Sequence, residues 1–157
     1  MSERASFENL MDIFDHVVTK AGSVHSTALD YGTGVPLYKT EIHTIRAIGE
    51  KQGINVTKLA EHMNVTKGAV SQTINKLARK KLVRKTHAHD NAKEIILELT
   101  DLGWTGFHNH EQFHMDMFDA VHDYFGDKLK PNLERLTAVM NDINCILDNY
   151  EQRRESN

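Results

Sequence analysis

The sequence predicts a mainly α-helical chain carrying one two-stranded β hairpin, and three observations predict it. Apolar positions recur at threes and fours over most of the 157 residues, the spacing of helices with one buried face. Only two prolines and nine glycines interrupt that pattern. Between Leu82 and Thr100 the period changes to two short β-type runs flanking a polar tip.

Taken in order, a first helix is expected from about Ser6 to Tyr31, with Phe7, Leu10, Met11, Phe14, Val17, Val18 and Ala21 on one face. The run YGTGVP ends it. Thr40 is expected to cap a second helix, EIHTIRAIGEKQ, burying Ile42, Ile45 and Ile48. Two short amphipathic helices follow, separated by the turn Asn64-Val65-Thr66, with Thr66 suited to cap the second. Leu59, Ala60, Met63, Val65, Val70, Ile74 and Leu77 are expected to pack them together. Strands then fall at Leu82–Lys85 and in EIILELT, joined by THAHDNAK. A long helix opens at Thr100-Asp101 and runs to about Phe125, where Gly126 suits a C-terminal cap. Pro131 fits the first turn of a last helix, whose stripe is Leu133, Leu136, Val139, Met140, Ile143, Ile146 and Leu147.

Two helices, a tight turn and a following hairpin make a winged helix-turn-helix, with the helix-turn-helix at about 55–80 and the wing at about 81–100. The whole of 1–157 is expected to form one domain. Helices at about 6–31 and 101–153 carry more apolar face than the small central unit can bury, so a homodimer built from both chain ends is expected. A twofold dimer also sets two recognition helices about 34 Å apart, as a palindromic site requires.

Charge points the same way. Residues 51–94 hold ten Lys and Arg against three acids, a local balance of +7 in a chain whose net charge is −3. Positive charge gathered into one segment of a mildly acidic chain is what a phosphate-facing surface requires. Double-stranded DNA is therefore the expected partner.

With Val70, Ile74 and Leu77 inward, Lys67, Gly68, Ser71, Gln72 and Asn75 share the outward face of the second short helix. Gly68 permits close backbone approach, and Gln72 can offer its amide bidentately to adenine. Ser71, Thr66 and Lys67 suit base edges or phosphates. At the wing, Lys85, His87, His89 and Lys93 are candidates for the adjacent minor groove or backbone.

The single Cys145 leaves no intramolecular disulfide and fits a reducing compartment. No apolar run approaches the roughly 20 residues that cross a membrane. MSERASFENL is too polar for a secretory signal, so a cytoplasmic chain is expected.

The chain resembles the MarR family of winged helix-turn-helix regulators over nearly its whole length. The residues that carry the resemblance are TEIHTIRAIGE, NVTKLAEHMNVTKGAVSQTINKLARKKLV and ILELTDLG, in the family's element order. The wing departs from it. Where the family has Asp-x-Arg, this chain has Asn91-Ala92-Lys93, with Asp90 one place early, which implies a weaker or differently aimed wing contact. The resemblance implies a DNA-binding transcriptional regulator, a repressor, acting as a homodimer.

Ten histidines are many for this length. His110-Glu111-Gln112-Phe113-His114 matches H-E-x-x-H, which puts two imidazoles one helical turn apart and places Glu111 as a general base in metalloproteases. The extended motif fails at Met117 and Ala120, so a zinc protease is a distant alternative. The plain reading makes both histidines packing residues in the stripe Phe107, His110, His114, Met117 and Val121. A third reading is a regulatory metal site. MarR relatives that repress zinc uptake are similar to this chain at His43, His110 and His114, and their fourth ligand position, a glutamate, holds His25 here. The resemblance implies zinc bound by these four residues, with metal favouring the DNA-bound form. That subfamily's second metal site has Tyr31, Ile42 and Asn109 in its place here, so it is expected to be absent. The in-class alternative is a repressor released by a small aromatic or oxidised ligand, without metal. Cys145 is a poor oxidant sensor, because nothing cationic adjoins it in sequence.

Overall fold

The computed structural model describes residues 2–88 and 91–155; the side chains of residues 21, 23–26, 91–93, 151 and 155 lie outside the description. The elements are α1 (Glu3–Ser26), α2 (Lys39–Glu50), α3 (Val56–Met63), α4 (Lys67–Arg79), β1 (Val83–Ala88), β2 (Asn91–Leu99), α5 (Asp101–Phe125), a 3-10 turn (Gly126–Lys128) and α6 (Leu129–Glu155). The fold is mainly helical with one two-stranded antiparallel sheet. The chain separates into two compact units, residues 1–112 and 113–157.

In the first unit, Ile42, Ile45 and Ile48 of α2 are fully buried, as their helical spacing predicts. They share one core with Leu59 of α3, Val70, Ile74 and Leu77 of α4, and Leu82, Val83, Leu97 and Leu99 of the wing. Three helices and a hairpin thus seal each other's apolar faces, and each side chain removed from water contributes about 1.5–3 kcal/mol. Phe107 of α5 packs against this core and lies over Gly49, where a Cβ would strike the ring.

Capping chemistry sets the helix ends. Asn55 Oδ1 accepts from Lys58 N at 2.9 Å at the start of α3, and Thr66 Oγ1 accepts from Ala69 N at 3.2 Å at the start of α4. Asn64 closes α3 in the left-handed region at φ 52°, a conformation asparagine tolerates better than most residues. Thr100 Oγ1 accepts from Gly103 N and donates to the Lys81 carbonyl, so one hydroxyl starts α5 and holds it to the end of the α4 turn.

Several expectations need correction. Tyr38, not Thr40, precedes α2, and the Glu41 carboxylate accepts from Tyr38 N at 3.0 Å; the reciprocal bond of a capping glutamate outweighed the threonine. Helix α1 stops at Ser26, short of Tyr31. Leu29 instead pairs with Leu37 through two backbone hydrogen bonds, and Asp30 Oδ1 accepts from Thr33 N and Gly34 N between them. That local turn competes with continued helix. Val65 is 46% exposed in place of the expected core position, because the tight turn after Asn64 points it outward. The hairpin is longer than expected, with strands reaching Ala88 and Asn91 and an irregular register after His87. Of the expected tip, His89 and Asp90 lie outside the described residues.

The second unit comprises the end of α5, the 3-10 turn and α6. Gly126 adopts φ 52° immediately after α5, the left-handed position glycine takes without strain. Leu129 is buried, whereas Leu133, Leu136, Val139, Met140, Ile146 and Leu147 of the expected stripe remain exposed within the single chain. On α1, in the first unit, Phe7, Leu10, Val17 and Val18 are exposed likewise. No described helix is long and apolar enough to cross a membrane.

Candidate nucleic-acid interface

Burying Val70, Ile74 and Leu77 fixes the rotation of α4 and decides which side chains face outward. Lys67, Gly68, Gln72 and Asn75 are exposed, Thr66 is exposed at the cap, and Ser71 is half-buried. Positions 68, 72, 75 and 79 form one ridge at helical spacing. A Cβ on Gly68 would meet only the Thr66 hydroxyl, at an ordinary contact distance of 3.9 Å, among the described residues. Lys67, Lys76 and Arg79 add exposed positive charge to the same helix.

The wing meets this ridge directly. Lys85 Nζ donates to Asn75 Oδ1 at 2.9 Å, joining β1 to α4. Other basic residues counted in the segment are committed elsewhere. Arg84 pairs with Glu98 across the hairpin at 2.9 Å, and Lys80 donates to Glu41 and to the Pro36 carbonyl. Lys80 is therefore a counted cation turned into the fold, whereas the Arg84 side chain remains 64% exposed. Of the remaining expected contacts, His89 lies outside the described residues. Lys93 lies in β2, but its side chain is outside the description.

Two of the four expected histidines, His43 and His110, meet within the first unit. His110 is 3% exposed on α5, and its ring lies 5.5 Å from that of His43 on α2 and 5.5 Å from that of Tyr31. Burial pushes the Tyr31 phenol up from its ordinary value. Beside them Arg46 Nε pairs with Glu50 at 2.8 Å and with Glu111 at 3.2 Å. The Glu50 hydrogen bond is the main influence raising the Arg46 pKa, against partial desolvation, and the Glu111 charge adds to it. His114 is half-buried and follows His110 by one turn of α5, in the second compact unit. His25 lies in the last turn of α1, with its side chain outside the description. Among the described residues no group of three or more His, Cys, Asp or Glu is close enough to hold a metal. The chemistry of the pair that is assembled, two imidazoles on adjacent helices, suits zinc as a partial nitrogen donor set.

Sequence spacing did not reveal the Lys85–Asn75 bond, the Lys80–Glu41 pair or the Arg46–Glu111 pair. The last two join residues far apart in the chain, and no periodicity marks them.

Residues 37–95 match the family model described as MarR family. The uncharacterized HTH-type transcriptional regulator YhjH of Bacillus subtilis (strain 168) is 36% identical over 86 residues, covering 55% of this chain and 49% of that protein. The chain thus spans about half the length of this curated relative. FabT of Streptococcus pneumoniae, solved in complex with DNA, superposes with a TM-score of 0.63 at 22% identity, over 90% of this chain and 99% of that one. The zinc-responsive MarR family member ZitR of Lactococcus lactis gives 0.65 at 17% identity, over 87% and 97%. At these identities the two structures establish a shared fold.

Proposed function

We infer that this chain, whose residues 37–95 carry the MarR-family winged helix, is a DNA-binding transcriptional regulator that reads palindromic operators as a homodimer. The observation that carries this reading is the outward ridge of α4, with Gly68, Gln72 and Asn75 exposed beside a basic wing that reaches the ridge through Lys85. Such a ridge fits the major groove, which admits one helix and displays donors and acceptors for amide side chains. The DNA-bound FabT, which shares the fold, supports it. Dimerisation is proposed from the exposed apolar residues of α1 and α6, which a second copy would cover. Enrichment of a palindrome from a random DNA pool tests the reading, together with sedimentation of the full-length chain. A monomer that enriches no sequence contradicts it.

The activity is further proposed to respond to zinc through His25, His43, His110 and His114, with repression as the outcome. The approach of His43 to His110 and the shared fold with zinc-responsive ZitR support it. Bound zinc would supply a fixed link between these side chains. It regulates only by binding one arrangement of the reading heads more tightly than another, and a coupling of about 1–3 kcal/mol changes DNA affinity roughly 5- to 150-fold. Metal content of tag-free protein, and operator affinity with and without added zinc, test this. Protein that stays metal-free after zinc loading, yet is released from DNA by a small aromatic acid, favours the ligand-controlled reading.

A further inference from the structure

The bond between Lys85 and Asn75 constrains what the recognition helix can read. Asn75 lies on the outward ridge of α4, and both residues are exposed. An ammonium has three donors and no acceptor, so it can hold the asparagine amide only by its oxygen. The amide is therefore oriented with Oδ1 toward the wing and its NH2 group away from it. An unconstrained asparagine at a base edge recognises adenine bidentately, accepting from N6 and donating to N7. Here one of the two lone pairs of that oxygen is engaged by a cation, whose charge opposes the approach of a second donor such as adenine N6. Arg79 Nε also donates to the Asn75 backbone carbonyl at 3.3 Å, bringing a second positive charge to the same turn. A positive surrounding opposes the amino groups of adenine and cytosine and favours acceptor-rich edges.

We propose that Asn75 and Lys85 act as one donor-rich, positively charged reading unit, which selects guanine through O6 and N7 in the major groove over adenine at that position. The proposal rests on the DNA-binding reading above and deepens it, assigning Lys85 to base selection rather than to phosphate anchoring. The Asn75 NH2 and the two remaining ammonium protons of Lys85 supply the donors that the guanine edge accepts. The nearby Arg84, held by Glu98, is committed to the hairpin and does not replace Lys85 in this unit.

The test uses an operator enriched from a random pool by the full-length protein. Binding of each single-base variant is measured for the wild type, Lys85→Met and Asn75→Ala. One G·C pair per half-site is expected at which the wild type loses about tenfold on change to A·T. Lys85→Met should lose that preference or turn it toward A·T, since it removes the ammonium donors and the positive charge that opposes adenine N6 at Oδ1, while preferences at other positions stay unchanged. Asn75→Ala should erase the preference at the same pair. Uniform weakening of Lys85→Met on all variants, with the salt dependence reduced by about one phosphate contact, would identify a backbone anchor and overturn the proposal. An unaltered G·C preference in Lys85→Met overturns it equally. A pool that yields no enriched sequence defeats the DNA-binding reading itself, a result distinguishable from both.

Discussion

Lys80 Nζ lies 2.8 Å from both carboxylate oxygens of Glu41, joining the residue that caps the end of α4 to the first turn of α2. The Glu41 side chain is 6% exposed and that of Lys80 27%, so the two ends of the pair are not equivalent. Glu41 also holds the Tyr38 amide, and Lys80 also holds the Pro36 carbonyl. One pair thereby fixes the recognition helix against the segment that leads into α2.

Lys80→Met is expected to destabilise the fold by about 3 kcal/mol, since it strands a buried carboxylate. Glu41→Gln should cost less, because Lys80 retains a route to solvent. Urea unfolding measures both. The salt dependence of DNA binding should not change in Lys80→Met beyond the loss of folded protein, because this lysine is engaged inside the fold. A slope reduced by a full phosphate contact would contradict that assignment.

Gly68 and Gly103 should respond in opposite ways to the same substitution. A Cβ on Gly103 collides with the Leu82 carbonyl oxygen, so Gly103→Ala must displace backbone and is expected to cost about 1–3 kcal/mol or more. A Cβ on Gly68 makes only an ordinary contact with the Thr66 hydroxyl at 3.9 Å, and Gly68→Ala should stabilise α4 by up to about 1 kcal/mol. Operator affinity should nevertheless fall in Gly68→Ala, where the added methyl separates the helix from DNA. Thermal unfolding and operator titration on the same preparations separate the two effects.

Gln72→Ala is expected to lose about 1–3 kcal/mol on the enriched operator and little on random DNA, as a base-reading amide should. Lys93→Ala should weaken both and flatten the salt dependence. Equal losses on both DNAs for Gln72→Ala would assign it to the backbone.

His43→Ala should remove zinc-dependent DNA binding while leaving metal-free binding intact, because His43 is exposed and lies off the recognition helix. Glu111→Gln should keep the metal response, as the Glu111 carboxylate is paired with Arg46. Isothermal titration with zinc and operator binding with and without it read these outcomes. A metal response that survives in His43→Ala would falsify the proposed ligand set. Peptide hydrolysis present in wild type and lost in Glu111→Gln would instead support the protease alternative.

Much of the framework was legible because it depends on local rules. Burying an apolar stripe at 3.6-residue spacing places Ile42, Ile45 and Ile48 inward whatever surrounds them, and Thr66 caps α4 through a bond to a residue three positions away. The same locality explains Gly126, whose left-handed backbone ends α5. Where two local devices competed, the outcome was less legible: Glu41 drew the start of α2 back to Tyr38, and the Asp30 turn ended α1 early.

By itself, then, the sequence determined the order of elements, the buried faces of α2 and α4 and the outward ridge of α4, because each follows from interactions within a few residues. Only the tertiary structure decided which polar groups on that scaffold meet. Lys80 is turned inward to Glu41, Lys85 is aimed at Asn75, and His43 and His110 are brought together from helices nearly seventy residues apart in the chain. The physical reason is that a lysine or histidine has many partners of nearly equal energy. The packed core, by fixing backbone positions, leaves only some of them within reach.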